Sequence, residues 1–142
     1  MAATPSSSSS SKAAVRGLVL ERRRLHMTLY NFEDVAGIAT KLYSPQAHMM
    51  YPGCSPAAEK SPEAIFRWFR KLGATKLGIS VQEVGDDLDS ERLFEWSYVR
   101  LVKSDGQVMK EGKLAAVWKK NGSSFVIDVE SFTNNAEEKV PL

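Results

Sequence analysis

Cysteine is almost absent from this chain: Cys54 stands alone. A single thiol excludes an intrachain disulfide and a thiolate metal cluster, and a reducing compartment becomes the default expectation. Histidine is nearly as scarce, with only His26 and His48. Neither lies at a spacing from Asp or Glu that makes a metal triad, so no metal is expected. A Cys54–His48 catalytic pair lacks a basic neighbour, and a plain surface thiol is the simpler reading. Long apolar runs are also missing. Nothing approaches the roughly 20 residues that span a bilayer, and no secretory apolar segment opens the chain. Charge is balanced, with 19 basic against 17 acidic residues. Nucleic-acid surfaces need clustered positive charge, so neither nucleic acid nor a membrane is an expected partner. The glycines form no phosphate-binding pattern after a strand, and no cofactor is expected.

What is present is enough for one core. The 142 residues, 43% of them hydrophobic, suit a single domain with a tail. Residues 1–15 read as a disordered Ser-rich tail, with Ser6 to Ser11 consecutive and no acid. An organellar transit peptide has the same traits. Arg16 and the Arg22–Arg24 run would serve it, although that run falls inside the first expected helix, where it reads as a solvated face. The folded domain is then 16–136, with 137–142 a C-terminal tail. The expected location is cytoplasmic, or organellar if the first residues are a transit peptide.

Residues 91–132 organise the rest. Three strand-like runs are separated by Asp105-Gly106 and Asn121-Gly122, and such pairs between apolar runs are strong hairpin signals. They predict a three-stranded antiparallel meander. Upstream, residues 16–28 read as a helix with Val15, Leu18, Leu25 and Leu29 on one face. Val35, Ile38, Ala39 and Leu42 mark a second helix. Residues 47–51 alternate as a short strand, and Pro52 to Pro56 form a loop. A third helix opens at Ser61 as N-cap with Pro62 behind it, carries Ile65, Trp68, Phe69 and Leu72, and stops at Gly73. Residues 77–84 alternate as a further strand. The order predicts an α+β fold with helices on one face of an antiparallel sheet.

Two-residue loops at both turns fix a register. Arg100 then faces Glu111, Val99 faces Gly112, Lys113 faces Glu130, Val117 faces Val126 and Trp118 faces Phe125. One face carries Leu93, Val99, Leu101, Leu114, Ala116, Trp118, Phe125, Ile127 and Val129, and the helices belong there. Glu95, Ser97 and Ser131 are out of place on it. A carboxylate in an apolar lining is a candidate functional group, though it is equally served by a helix Arg or Lys. The other face carries Phe94, Trp96, Tyr98, Arg100, Glu111, Lys113, Glu130 and Phe132. An exposed aromatic patch of that kind asks for a cover, and a second copy is the simplest one.

Several motifs in sequence order resemble a known family. They are Leu42-Tyr43-Ser44-Pro45-Gln46-Ala47, Pro52-Gly53, Ser61-Pro62-Glu63-Ala64-Ile65 before Trp68-Phe69, Gly112-Lys113-Leu114 through Val117-Trp118-Lys119-Lys120, and the final strand. Together they resemble the SnoaL-like domains of the nuclear transport factor 2-like superfamily over roughly residues 18–135. The resemblance implies a cone: a curved antiparallel sheet wrapped around N-terminal helices, enclosing an apolar pocket, with dimers formed through the outer sheet face. The family holds isomerases, cyclases and dehydratases as well as non-catalytic association domains. Its isomerase-type motif is not carried over. Aligned on Tyr43, Ala47 and Pro52, the catalytic Asp position is Tyr51, the acid before the Ala is Gln46, and the oxyanion-donating Tyr falls near Met27, a turn from Tyr30.

Three readings follow. The first is a dimeric protein that binds a small apolar molecule in a pocket lined by Tyr51, Glu95, Ser97, Trp118 and Ser131. The second is a cofactor-independent isomerase, cyclase or dehydratase with Tyr51 as donor and Glu95 as acid or base. The third is a non-catalytic oligomerisation module. In all three the expected dimer face is Trp96, Tyr98, Arg100, Glu111, Lys113, Glu130 and Phe132, with Glu130 paired to Lys113.

Overall fold

A computed structural model describes residues 4–51, 61–87 and 91–134, with side chains from Lys12 onward. Cys54, the loop around it and residues 137–142 lie outside the described residues. The elements are α1 (Thr4–Asn31), α2 (Val35–Leu42), β1 (Tyr43–Met50), α3 (Pro62–Lys71), β2 (Ala74–Asp86), β3 (Arg92–Lys103), β4 (Val108–Asn121) and β5 (Ser124–Asn134). The expected order and the α+β class hold. Helix α1 starts well before residue 16, so the segment expected as a tail is helical from Thr4. Serine is an adequate helix former, and Pro5 sits in the first turn, where its missing N–H costs nothing.

Local chemistry explains the boundaries. Asp34 caps α2 by accepting a bond from the Gly37 N–H at 2.9 Å. A Cβ on Gly37 would fall 2.4 Å from that carboxylate, so a side chain there would displace the Asp34 cap from its present position. Ser61 caps α3 by accepting from Ala64 N–H, with Pro62 directly behind it. Gly73 follows at φ 111°, a positive angle that side-chain-bearing residues rarely adopt. The buried face of α3 is Ile65, Phe66 and Phe69, while Leu72, expected on that face, is exposed.

The sheet has five strands in the order β1-β5-β4-β3-β2. It is mixed rather than wholly antiparallel, because β1 pairs with β5 in parallel. The meander β2-β3-β4-β5 is antiparallel, as expected.

Helix α1 runs along the open edge of β2. Arg16 donates to the carbonyls of Val81 and Gln82. Ile79 N–H donates to Met27 Sδ and Leu77 N–H to Asn31 Oδ1. Tyr30 O–H donates to the Ala74 carbonyl at 2.7 Å. Backbone groups that would otherwise lie bare at a sheet edge are thus met by side chains.

Both hairpins differ in detail from the expected register. Between β3 and β4 the loop is Ser104-Asp105-Gly106, with Gly106 at φ 91° and Lys103 N–H bonded to the Gln107 carbonyl. This three-residue form carries a left-handed glycine at its end. A compensating bulge lies beyond Leu101, so Arg100 still faces Glu111 and Val99 still faces Gly112. Between β4 and β5 the central pair is Gly122-Ser123, since Asn121 faces Ser124. Pairing moves by two residues, which keeps Trp118, Phe125 and Ile127 on the inner face. A bulge then intervenes. Trp118 faces Ile127, but Val117 faces Val129, leaving Asp128 as the extra residue. Beyond Asp128 every side chain changes face relative to the expected register.

Candidate functional site

The consequence of that bulge is the centre of the molecule. Glu130 and Phe132, expected on the outer face, point inward and are 0% and 4% exposed. Glu130 faces Ala116 rather than Lys113. Ser131, expected inside, lies on the outer face in a shallow groove with Trp96, Lys113, Ala115 and Thr133.

Helix α1 supplies the partner. Its buried positions are Val19, Arg23, His26 and Tyr30, spaced four, three and four residues apart. This differs from the Leu18–Leu25–Leu29 stripe read from apolar residues alone, and it overturns the reading of the Arg22–Arg24 run as solvated. Arg23 is fully buried and bridges both carboxylates. Its Nε and Nη2 donate to Glu95 Oε1 at 3.1 and 2.9 Å, and Nε also reaches Oε2 at 2.9 Å. Nη2 donates to Glu130 Oε2 at 2.9 Å. The guanidinium lies 5.1 Å from the Trp118 ring centroid, a cation–π contact.

Each carboxylate has further donors. Trp118 Nε1 donates to Glu95 Oε1 at 2.8 Å and Ser97 O–H to Oε2 at 2.5 Å. Glu130 Oε1 accepts from Tyr43 O–H at 2.5 Å and Tyr51 O–H at 2.6 Å. The remaining fork of Arg23 donates to His26 Nδ1 at 3.0 Å. That bond fixes the proton of a neutral imidazole on Nε2, which has no hydrogen-bond partner among the described residues. Rings pack round the cluster: Phe66 is 5.0 Å from His26, edge-on, and Phe132 stacks on Tyr51 at 5.7 Å.

Burial and charge set the ionisation states. Burial pushes the Glu95 carboxyl up, but Arg23 and the hydrogen bonds from Arg23, Ser97 and Trp118 outweigh it and hold Glu95 below its ordinary value. Burial likewise works against the charge on Arg23, yet Glu95 and Glu130 raise its pKa well above the usual one. Burial, then the neighbouring Arg23, push His26 well down. Burial and the Glu130 carboxylate push the Tyr43 and Tyr51 phenols well up.

Four of the expected pocket residues therefore do meet: Tyr51, Glu95, Ser97 and Trp118. They meet in a packed, hydrogen-bonded interior rather than around an apolar void. A cavity of about 620 Å³ lies elsewhere, lined by Met27, Ile79, Val99, Gly112 and neighbours on β2 to β4, and none of the cluster residues line it. Of the expected dimer-face residues, Trp96, Tyr98, Arg100, Glu111 and Lys113 are on the outer side. Trp96 and Tyr98 meet edge-on at 5.2 Å, and Lys113 Nζ lies 5.9 Å from the Trp96 ring centroid. Arg100 and Glu111 pair at 3.4 Å. No group of His, Cys, Asp and Glu suited to a metal occurs among the described residues. Among them, too, no helix is long and apolar enough to cross a membrane.

An N-terminal helical layer packed on a curved, mixed five-stranded sheet, with side chains converging inside it, defines the nuclear transport factor 2-like fold. Solved structures share it over most of their length. One is an NTF-2 like protein of unknown function from Shewanella oneidensis, with TM-score 0.63 and 12% identity, covering 82% of this chain and 97% of that one. Another is Aln2 from a Streptomyces species, with TM-score 0.68, 13% identity, and coverage of 88% and 94%. A protein from Catenulispora acidiphila is 18% identical, with TM-score 0.65 and coverage of 90% and 96%. No protein-family model matches the chain, and no curated protein matches it in sequence.

Proposed function

We propose that this protein is a non-catalytic pairing module of the nuclear transport factor 2-like fold, joining two copies through the outer face of β3 and β4. The observation that carries this reading is the aromatic row Phe94, Trp96 and Tyr98, with Phe94 45% and Tyr98 44% exposed. Arg100, Glu111 and Lys113 share the face, so it presents both signs of charge. A face with both signs does not repel its own copy, as pairing of one patch with itself about a two-fold axis requires. The interior supports the reading from the other side. The carboxylates that would serve as acid or base are held by Arg23, Trp118, Ser97, Tyr43 and Tyr51. A general base must reach its substrate, and these carboxylates are buried at 4% and 0% exposure.

The test is sedimentation velocity on the wild type and on Phe94→Glu/Tyr98→Glu. The wild type is expected to sediment as a dimer. The variant is expected to sediment as a folded monomer, with its far-ultraviolet circular dichroism retained. A wild type that is monomeric at tens of micromolar sinks the proposal.

A second reading rests on the cavity beside Met27, Ile79 and Val99. Its volume suits a small apolar molecule, within the few hundred to a thousand Å³ usual for such sites. Native mass spectrometry of protein from its source would show a retained mass that Val99→Trp abolishes.

A further inference from the structure

Three hydrogen-bond donors converge on one carboxylate inside the cone, and none of them depends on that carboxylate for its place. Arg23 is held by the forked bonds to Glu95, by His26 and by the Trp118 ring. Tyr43 packs against His26 and Phe66. Tyr51 packs against Phe66, Phe69 and Phe132. The donors come from α1, β1 and the residue after β1, whereas the acceptor comes from β5. Donors fixed by packing before the acceptor arrives are what a receptor for an anion requires. Two phenols share one oxygen at 2.5 and 2.6 Å, and a guanidinium takes the other at 2.9 Å.

From this geometry we infer that Arg23, Tyr43 and Tyr51 form a carboxylate-binding site whose resident ligand is the Glu130 side chain, and that the site takes a small monocarboxylate once that side chain is shortened. Truncation of Glu130 to alanine removes Cγ and the carboxyl group, which are the heavy atoms of an acetate ion. The space left is buried, polar and charged, so an ion of that size and sign refills it and restores the bonds to all three donors. A neutral molecule of the same shape brings no charge for Arg23, and chloride brings one atom where two oxygens are needed.

The experiment is thermal unfolding of Glu130→Ala in sodium acetate, sodium chloride and acetamide, each titrated to 100 mM. The variant is expected to melt below the wild type, and acetate is expected to raise its Tm in a saturable way. Chloride and acetamide are expected to give no such rise, and neither is acetate on the wild type, whose site is filled. Adding Tyr51→Phe to Glu130→Ala removes one donor and is expected to weaken acetate about ten-fold. If Glu130→Ala is unfolded in chloride, refolding yield in acetate becomes the readout, and recovery there supports the site. The inference is overturned by a Tm, or a refolding yield, that acetate moves no more than chloride. It is also overturned if the Tyr51→Phe background leaves the acetate affinity unchanged, since acetate would then bind somewhere else.

Discussion

Arg23 carries its charge at 0% exposure. Two carboxylates and an indole face offset the loss of hydration. Removing only the cation leaves Glu95 and Glu130 buried side by side, and breaking a buried pair in this way costs about 3–5 kcal/mol. Arg23→Met keeps much of the side-chain volume, so the cavity contribution stays small. The unfolding free energy read from urea denaturation should fall by that amount at neutral pH, which is a fifth or more of the usual stability. An Arg23→Met protein within 1 kcal/mol of wild type would show that the cluster is not a buried ion network. The stripe Val19, Arg23, His26, Tyr30 was open to view in the sequence at helical spacing. Apolar residues alone give the Leu18–Leu25–Leu29 stripe and residue type sends the Arg22–Arg24 run to the wet face, whereas two inward carboxylates make that side of the helix favourable for a cation.

At the level of elements, the decisive feature is one extra residue in β5. Asp128 stands at the bulge and is tied from three directions: Ser44 O–H donates to it at 3.1 Å, and Arg92 and Lys119 lie 3.7 Å away. Deleting Asp128 would let the ladder run without a break. Val117 would still face Val129 and Ala116 would still face Glu130, so Glu130 would stay inward and Arg23 would keep both counter-charges. We therefore expect the deletion variant to unfold cooperatively with Glu130 still in the cluster, and Asp128→Asn, which keeps the bulge, to cost less than about 1.5 kcal/mol. Near-ultraviolet circular dichroism, which reports Trp118 and the packed tyrosines, should stay native-like in both variants, and its loss on deletion would show that Asp128 itself sets the facing of Glu130. The same residue marks the limit of the sequence reading. Alternation, caps and turn residues were enough for the elements and their order, while the Arg100–Glu111 pairing holds because the bulge beyond Leu101 offsets the longer loop. They place Trp118, Glu95 and Ser97 inside correctly, because β3 and the second half of β4 keep their alternation. A mid-strand bulge leaves no comparable mark: Val126, Ile127, Val129 and Phe132 read plausibly in either frame. Glu130 opposite Lys113 even satisfied a charge pairing that the fold does not make.

For the molecule as a whole, the cluster ties stability to pH on both sides. Glu95 is held below its ordinary value, so the unfolded chain takes up that proton first as pH falls. Its contribution is present above about pH 4.3 and is lost as pH drops through the folded value. His26 is also depressed, well below its ordinary value. The unfolded chain protonates it from about pH 6.5 downward while the fold keeps it neutral, and each pH unit below that erodes up to about 1.4 kcal/mol. Tyr43 and Tyr51 are raised, so their contribution is lost as pH rises through about 10, where the unfolded phenols ionise. The urea midpoint should therefore fall between pH 7 and pH 5. His26→Gln, which still offers an oxygen to Arg23, should flatten that segment and leave the steeper fall below about pH 4.5 intact. An unchanged slope between pH 7 and pH 5 in His26→Gln would assign the loss to other groups.

The helix laid along β2 has a consequence for how copies of this chain meet. With Arg16, Met27 and Asn31 occupying the backbone of that border, no incoming strand finds a ladder to extend there. At the opposite border, β1 carries Pro45, which has no N–H to offer. A sheet closed at one side and interrupted at the other does not template fibre growth. Under the pairing proposed above, copies of this chain would meet face to face, an association that stops at a fixed number rather than propagating.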